Sequence, residues 1–277
     1  MESAHQHFLW RETSGVTYGY FPAFEATGIV NHGFSTRLGG VSTGSYETMN
    51  LAYNSGDHPG HVTENYRRFT GALGVDWQLA VLTHQTHETC IRQVTRQDAG
   101  KGLAQKRDYS HVDALITNEP GIPLMTFHAD CVPLYILDPV NKAIGLGHAG
   151  WRGTVSQLAV KLVQEMTAAY GSKPRNLLAA IGPAIDACCY LIREDVYSSF
   201  REKLPLADTS ISPVNDQQWR LSLPEINRQL FMQAGIMNNR IIQSQVCTCC
   251  HASILFSHRA HGQQRGTMAA LMQLNGK

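Results

Sequence analysis

The centre of this chain carries a run of short apolar segments set too close together to be anything but strands. Pro123–Phe127, Pro133–Leu137 and Ala143–Leu146 are each bounded by turn-forming residues, and Asp138-Pro-Val-Asn-Lys142 between the last two reads as a hairpin connection. A helical pattern follows at once. Val155, Leu158, Ala159, Leu162, Met166 and Tyr170 recur at three- and four-residue steps, predicting a helix over Thr154–Tyr170 that Gly171 ends. Buried strands feeding an amphipathic helix imply layers of sheet and helix around a shared core.

The flanking segments extend this pattern. Gly28–Phe34, Leu79–Leu82, Cys90–Thr95, Val112–Thr117, Leu177–Ile181, Arg240–Val246, Ile254–Phe256 and Thr267–Leu271 read as strands. A helix is expected from Pro59, with Val62, Tyr66, Phe69 and Leu73 on one face and Gly74 as its stop. A second is expected over Arg193–Lys203. A third follows Ser222, where Ser222 and Glu225 have capping-box spacing and Pro224 is tolerated in the first turn. The order is mixed rather than strictly βαβ, so the expected class is α/β with a mixed sheet. No repeat or low-complexity linker divides the chain, which reads as a single domain over residues 1–277.

Composition narrows the function. With 43% hydrophobic and 16% charged residues the chain is ordinary globular material, and a net charge of +1 gives no basic bias toward nucleic acid or a lipid surface. The opening residues Met1–Trp10 lack a basic start followed by an apolar run, and no apolar stretch approaches membrane-spanning length. The expected setting is cytoplasmic, with no obligatory protein partner evident. The 7 cysteines then read as reduced thiols or metal ligands, not as a disulfide framework.

Three segments concentrate polar residues at strand ends, where a scaffold presents side chains to a cleft: Thr83-His-Gln-Thr-His87, Phe127-His-Ala-Asp-Cys131 and Gly147-His-Ala-Gly-Trp-Arg-Gly153. His87, Cys131 and His148 supply two imidazoles and a thiolate, a donor set suited to a borderline-soft ion such as zinc. Three ligands would leave a coordination position open for chemistry. The plainer alternative is a small core cysteine and two hydrogen-bonded histidines, and spacing does not separate the two. Cys247-Thr-Cys-Cys-His251 resembles a metal motif but has no evident second half, so incidental thiols at a strand end are expected there. The Gly33–Gly44 loop could wrap an anion with its N–H groups. Arg37, Arg152, Arg259 and Arg265 are candidate phosphate or carboxylate binders. HExxH and the HxE plus PCxxC signature of nucleobase deaminases are absent.

Taken in order, the motifs resemble one family. His32-Gly-Phe-Ser-Thr-Arg37, Gly39-Gly-Val-Ser42, Met49-Asn-Leu51, Gln85-Thr-His87 and Asp113-Ala-Leu-Ile-Thr117 open the series. Ala129-Asp-Cys-Val-Pro133, His148-Ala-Gly-Trp-Arg-Gly153, Ile181-Gly-Pro183, Cys247-Thr248 and Phe256-Ser-His-Arg259 continue it. The chain is similar in this to the YfiH-like proteins, also known as laccase-domain proteins or polyphenol oxidases, as purine nucleoside phosphorylases and as peptidoglycan editing factors. The resemblance spans about Val30 to Met268. Cys249, Cys250 and His251, and the looser Gly262-Gln-Gln-Arg265, depart from the family pattern.

The resemblance implies a four-layer αββα sandwich and one zinc held by His87, Cys131 and His148. It implies phosphorolysis of adenosine, inosine and S-methyl-5′-thioadenosine, with adenosine deamination as a second activity. Among the motif residues, Cys131, His148, Asp130 and Arg37 are the expected catalytic groups. Ser35, Asn50, Asp113, Arg152 and Arg259 are the expected substrate contacts, with purine nucleosides and phosphate as the small-molecule partners. Three rivals remain. A copper polyphenol oxidase would need more imidazoles than the strongest motifs hold. A Cys–His hydrolase acting on cell-wall precursors would use Cys131 as nucleophile and His148 as base. A zinc-stabilised binding module would show no turnover.

Overall fold

A computed structural model describes residues 7–276; the rest of the opening segment read above for a signal sequence lies outside the described residues. Two six-stranded sheets form the body. The first runs in the order Leu9–Thr13, Val16–Tyr20, Val30–Ser35, Met268–Leu274, Leu124–His128 and Val81–Leu82. The second runs Ile241–Gln243, Leu178–Ile181, Val132–Asp138, Ala143–Ala149, Ala114–Thr117 and Ile91–Gln93. Antiparallel pairs dominate, and parallel pairs occur at one edge of the first sheet and both edges of the second, so both sheets are mixed. A small third sheet holds Leu191–Ile192, Gln218–Leu221 and Ile211–Asn215.

Alternation along the strands explains the stacking. On Val132–Asp138, Tyr135 and Leu137 enter the core between the sheets, while Leu134 and Ile136 face the helices. Every residue of that strand is buried, which explains its unbroken apolar run. On Met268–Leu274, Met268, Ala270 and Met272 face the second sheet. Ala269 and Leu271 instead meet Val62, Tyr66 and Phe69 of the helix Pro59–Ala72. Helices Leu158–Tyr170 and Leu223–Gln233 cover the far side of the second sheet through Leu162, Met166, Ile226 and Leu230. The result is four layers: helix, sheet, sheet, helices.

The structure departs from the sequence reading at identifiable points. The expected helix Thr154–Tyr170 is two helices, Trp151–Val155 and Leu158–Tyr170, because Gln157 turns left-handed at φ 61°. The first begins earlier than expected, where extended Gly150 serves as its N-cap. Ile254–Phe256 is not a strand. Leu255 and Phe256 are buried in the inter-sheet core, with Ile254 packed against it, from a turn in which Ile254 and Leu255 donate to the His251 carbonyl. Burial here comes from packing without ladder pairing. The Leu9–Thr13/Val16–Tyr20 hairpin and the small third sheet add strands that the pattern did not reveal.

The Gly33–Gly44 loop turns much of its N–H edge inward. Arg37 donates to the Ile254 carbonyl, Gly40 to Thr48 Oγ1, Val41 to Asn65 Oδ1 and Ser42 to the Thr48 carbonyl, so these groups are not free for an anion. Gly39 and Gly40 serve close packing, since a Cβ on them would lie 2.3 Å from the Gly15 oxygen and 2.1 Å from the Thr48 oxygen. None of the described helices is long and apolar enough to cross a membrane.

Candidate active site

The chain crosses from the first sheet to the second between His128 and Val132, and Cys131 stands on that crossing. His148 lies on the central strand Ala143–Ala149 of the second sheet. His87 follows the edge strand Val81–Leu82 of the first. The facing of the two sheets brings these three residues together: a nitrogen of each histidine and the Cys131 sulfur all lie within 4.8 Å of one another.

Asp113 organises the cluster. Its fully buried carboxylate accepts from His148 Nδ1 at 3.1 Å and from the N–H groups of Thr86, His87 and Glu88 at 3.2, 3.1 and 2.9 Å. It therefore fixes the His148 tautomer, leaves Nε2 to face Cys131, and holds the turn that carries His87 at φ 62°. Burial would raise its carboxyl, but hydrogen bonds from His148 and from the Glu88 and Thr86 backbone keep it below its usual range. Gln85 docks the same loop on the first sheet, accepting from Phe127 N and donating to Phe127 O.

Cys131 and His148 perturb each other. Burial raises the Cys131 thiol, yet the charge of His148 and hydrogen bonds from His148 and His87 bring it down to about 6. Burial lowers His148, but the Cys131 thiolate and Asp113 raise it to about 9. The two form a thiolate–imidazolium pair near neutral pH. His128 is buried and neutral, pushed well below its usual value by burial and by the charge on His148. Both its nitrogens are committed, Nε2 to Thr126 Oγ1 at 2.7 Å and Nδ1 to the Cys131 carbonyl at 3.0 Å. It shapes the Cys131 turn and adds no donor to the cluster.

These residues fit a metal ion. The donors converge, one is already ionised, and the backbone leaves room beside them: a Cβ at Gly150 would sit 3.0 Å from His87 Nδ1 and 3.1 Å from Cys131 Sγ. Two clefts meet at the cluster. One, of about 380 Å³, is lined by Asp130, Trp151, Arg152, Tyr190, His258 and Arg259. The other, of about 590 Å³, is lined by Tyr53, Gln85, Arg107, Phe127, His148 and Thr267. His87, Ala129, Cys131 and Arg265 border both.

The other expected site residues divide sharply. Asp130 borders the smaller cleft, its carboxylate held by Thr248 Oγ1 at 2.6 Å and by Arg259 N at 2.7 Å. Arg152 is exposed at the cleft mouth over the Trp151 ring. Arg259 lines the cleft, with its guanidinium donating to the Cys189 and Leu191 carbonyls. Arg37, Ser35 and Asn50 line neither cleft. Arg37 donates to the Glu47 and Ala252 carbonyls and meets His261 at 3.1 Å. The Ser35 hydroxyl accepts from Ala269 N. Asn50, fully buried, ties Ala52, Ser55, Asp57 and Thr267 together. Sequence reasoning assigned no role to His128, Trp151 or Tyr190 and weighed Arg265 only as one arginine among four. Arg265 borders both clefts, and its buried Nε has no hydrogen-bond partner among the described residues. The adjacency of His128 and Trp151 to Cys131 and Arg152 was the available signal; Arg265 offered only its place beside glycine and hydroxyl residues, shared with three other arginines, and Tyr190 offered none.

Fold and site define a class: a layered α/β protein whose two facing sheets bring a thiolate and two imidazoles to a cleft edged with arginines. Residues 31–275 match the family described as multi-copper polyphenol oxidoreductase laccase, and the chain belongs to that family. It is 34% identical over 244 residues to purine nucleoside phosphorylase YlmD of Bacillus subtilis, covering 87% of each chain. It is 35% identical over 253 residues to the protein of that name from Geobacillus stearothermophilus, covering 88% of this chain and 89% of the other. The crystal structure of the latter organism's YlmD superposes with a TM-score of 0.90 over 96% of this chain and 99% of that one, at 32% identity.

Proposed function

We propose that this protein is a zinc-dependent purine nucleoside phosphorylase formed by the whole chain as one catalytic domain. His87, Cys131 and His148 hold the metal. The observation that carries the reading is the convergence of the three donors, two of which, His87 and Cys131, share one cleft with Arg152, Arg259 and Arg265 and the rings of Trp151 and Tyr190. The names of the relatives agree with it. The donor set favours zinc over multicopper chemistry, because His128, the nearest further imidazole, is committed to Thr126 and to the Cys131 backbone.

When bound, the metal supplies Lewis acidity and lowers the pKa of a coordinated water. The chain's own groups do the rest. Arg152 and Arg265 bind phosphate; Arg265 takes the place that the sequence gave Arg37, whose donors are spent elsewhere. Trp151 and Tyr190 flank the purine. A phosphate oxygen attacks the anomeric carbon, the glycosidic bond breaks, and its electron pair leaves with the base, which takes up a proton. Asp130 handles protons at the cleft, both here and in adenosine deamination as the second activity. The substrates are adenosine, inosine and S-methyl-5′-thioadenosine. The test is chromatography of metal-replete protein incubated with adenosine or inosine, with and without phosphate, alongside Cys131→Ala. Phosphate-dependent release of adenine or hypoxanthine, lost in the variant, is expected. Absence of base release from metal-replete protein would overturn the reading.

One observation favours a second reading. Cys131, His148 and Asp113 are hydrogen-bonded in the order of a Cys–His–Asp hydrolase, with the thiol already near 6. Such an enzyme would act on cell-wall precursors without metal. Alkylation of Cys131 that zinc blocks, with no hydrolysis by metal-free protein, would reject it.

A further inference from the structure

Outside the candidate active site, the described residues hold one other convergence of metal-capable groups. Cys188, Cys189, Cys247 and Cys250 place their four sulfurs within 4.8 Å of one another. The sequence reading found no second half for the Cys247 cluster. The fold supplies it, since the parallel bridge between Ala184 and Cys247 sets the turn with Cys188 and Cys189 beside the turn with Cys247 and Cys250.

We propose that these four cysteines form a second metal site, a tetrathiolate that takes Zn²⁺ and clamps the two turns together. Cys250 Sγ lies 3.5 Å from Cys188 Sγ and 3.4 Å from Cys189 Sγ. A tetrahedral zinc with Zn–S bonds of about 2.3 Å spaces its sulfurs at roughly 3.8 Å, so small side-chain adjustments close the site. Cys247-Thr-Cys-Cys250 is a C-x-x-C turn, and backbone N–H groups of Cys250, Asp186 and Cys249 face the Cys247 sulfur. Such donors stabilise a metal-bound thiolate. His251 adds no ligand through Nδ1, which bonds the Cys247 carbonyl at 2.9 Å. A fifth thiol, Cys249, stands outside the group of four.

Charge and chemistry agree. Binding releases the thiol protons to solvent and leaves a tetrathiolate with net negative charge. Two guanidiniums border it, Arg220 on the Ala187 and Cys188 carbonyls and Arg259 on the Cys189 carbonyl. A disulfide has no unique pairing here, because Cys250 meets both Cys188 and Cys189. Four protein ligands close the coordination shell, so the site is structural. What it fastens is the wall of the cleft. Thr248, inside the C-x-x-C turn, donates to Asp130 at 2.6 Å, and Ile185 and Tyr190 on the other turn line the cavity.

The test counts metal in the full-length chain, grown with zinc, purified under reducing conditions and desalted. In Cys131→Ala, which removes a ligand of the first site, about one zinc per chain should remain by mass spectrometry of the metal. Adding Cys250→Ser should remove it, whereas adding Cys249→Ser should not. Because Cys250→Ser can impair folding, the unaltered cluster is also read directly. Cobalt loaded into Cys131→Ala should give the strong sulfur-to-metal charge transfer of a tetrahedral tetrathiolate. Metal-free Cys131→Ala protein whose cluster thiols all react with a thiol reagent would overturn the proposal. So would a disulfide within the cluster, or cobalt without thiolate absorption. None of these readouts depends on nucleoside turnover, so the two proposals fail separately.

Discussion

The two thiol-containing clusters solve opposite problems. His87, Cys131 and His148 are drawn from both sheets and oriented by a buried carboxylate, Asp113, and they offer three donors facing a cleft. Cys188, Cys189, Cys247 and Cys250 lie on two surface turns, have backbone N–H groups for support and offer four donors. Rigid strand ends and a side-chain orienter suit a metal that must keep an open position and do chemistry. A closed set of thiolates on turns suits a metal that fastens chain to chain. The contrast teaches that the number of donors and what holds them predict the role better than burial does, since each cluster mixes exposed with covered residues.

The comparison breaks most visibly at its catalytic end. Cys131→Ala or His148→Ala should cost phosphorolysis about 10³-fold or more, the scale of losing several kcal/mol of charge stabilisation. Steady-state phosphate-dependent base release measures it; retention of activity would remove the cluster from the reaction. Next, Asp113→Asn should weaken zinc at the active site by roughly 10- to 100-fold while leaving the cysteine site unchanged. Chelator competition resolves the two losses, and an equal loss at both would erase the distinction between side-chain and backbone support.

At the structural end, Cys250→Ser should lower the melting temperature by roughly 5 °C while turnover stays within a few-fold. Calorimetry with parallel assays would detect the opposite pattern. Gly150→Ala probes the space beside the first cluster. Its methyl would press on His87 and Cys131 at 3.0 and 3.1 Å, so metal affinity should fall several-fold with a stability change below about 1 kcal/mol. The finest test is proton release. Cys131 is already ionised near neutral pH and His148 carries a proton that zinc must displace, so loading the first site should release about one proton. Burial raises Cys188, to about 12, and also Cys189, so the second site should release more protons than the first, and its affinity should climb more steeply with pH. Calorimetry in buffers of different ionisation heat compares them.

Much of this was legible in the residues. The central strands, the helix from Pro59 and the helix after Ser222 stand where apolar periodicity and caps put them. Motifs singled out His87, Cys131 and His148 because each occurs beside a strand end. Arg37, Ser35 and Asn50 lie in equally recognisable motifs yet hold the fold together away from the clefts. A motif marks a residue with a fixed environment, and a hydrogen-bond hub is as fixed as a ligand. Tyr190 gave no local signal and nothing local set Arg265 above the other candidate arginines, because what distinguishes them is which cavity they border.

The sequence by itself determined the elements, since periodicity, caps and turn residues act between neighbours in the chain. It also determined the chemical inventory: thiols, imidazoles and arginines in number and kind. Only the tertiary structure decided which of them meet. Cys188 and Cys250 are 62 residues apart and touch because two parallel segments align their turns. His87, Cys131 and His148 converge because the chain crosses between two sheets whose facing apolar sides must be buried together. Hydrophobic burial fixes that facing, and no local pattern encodes the distance between side chains that it brings together.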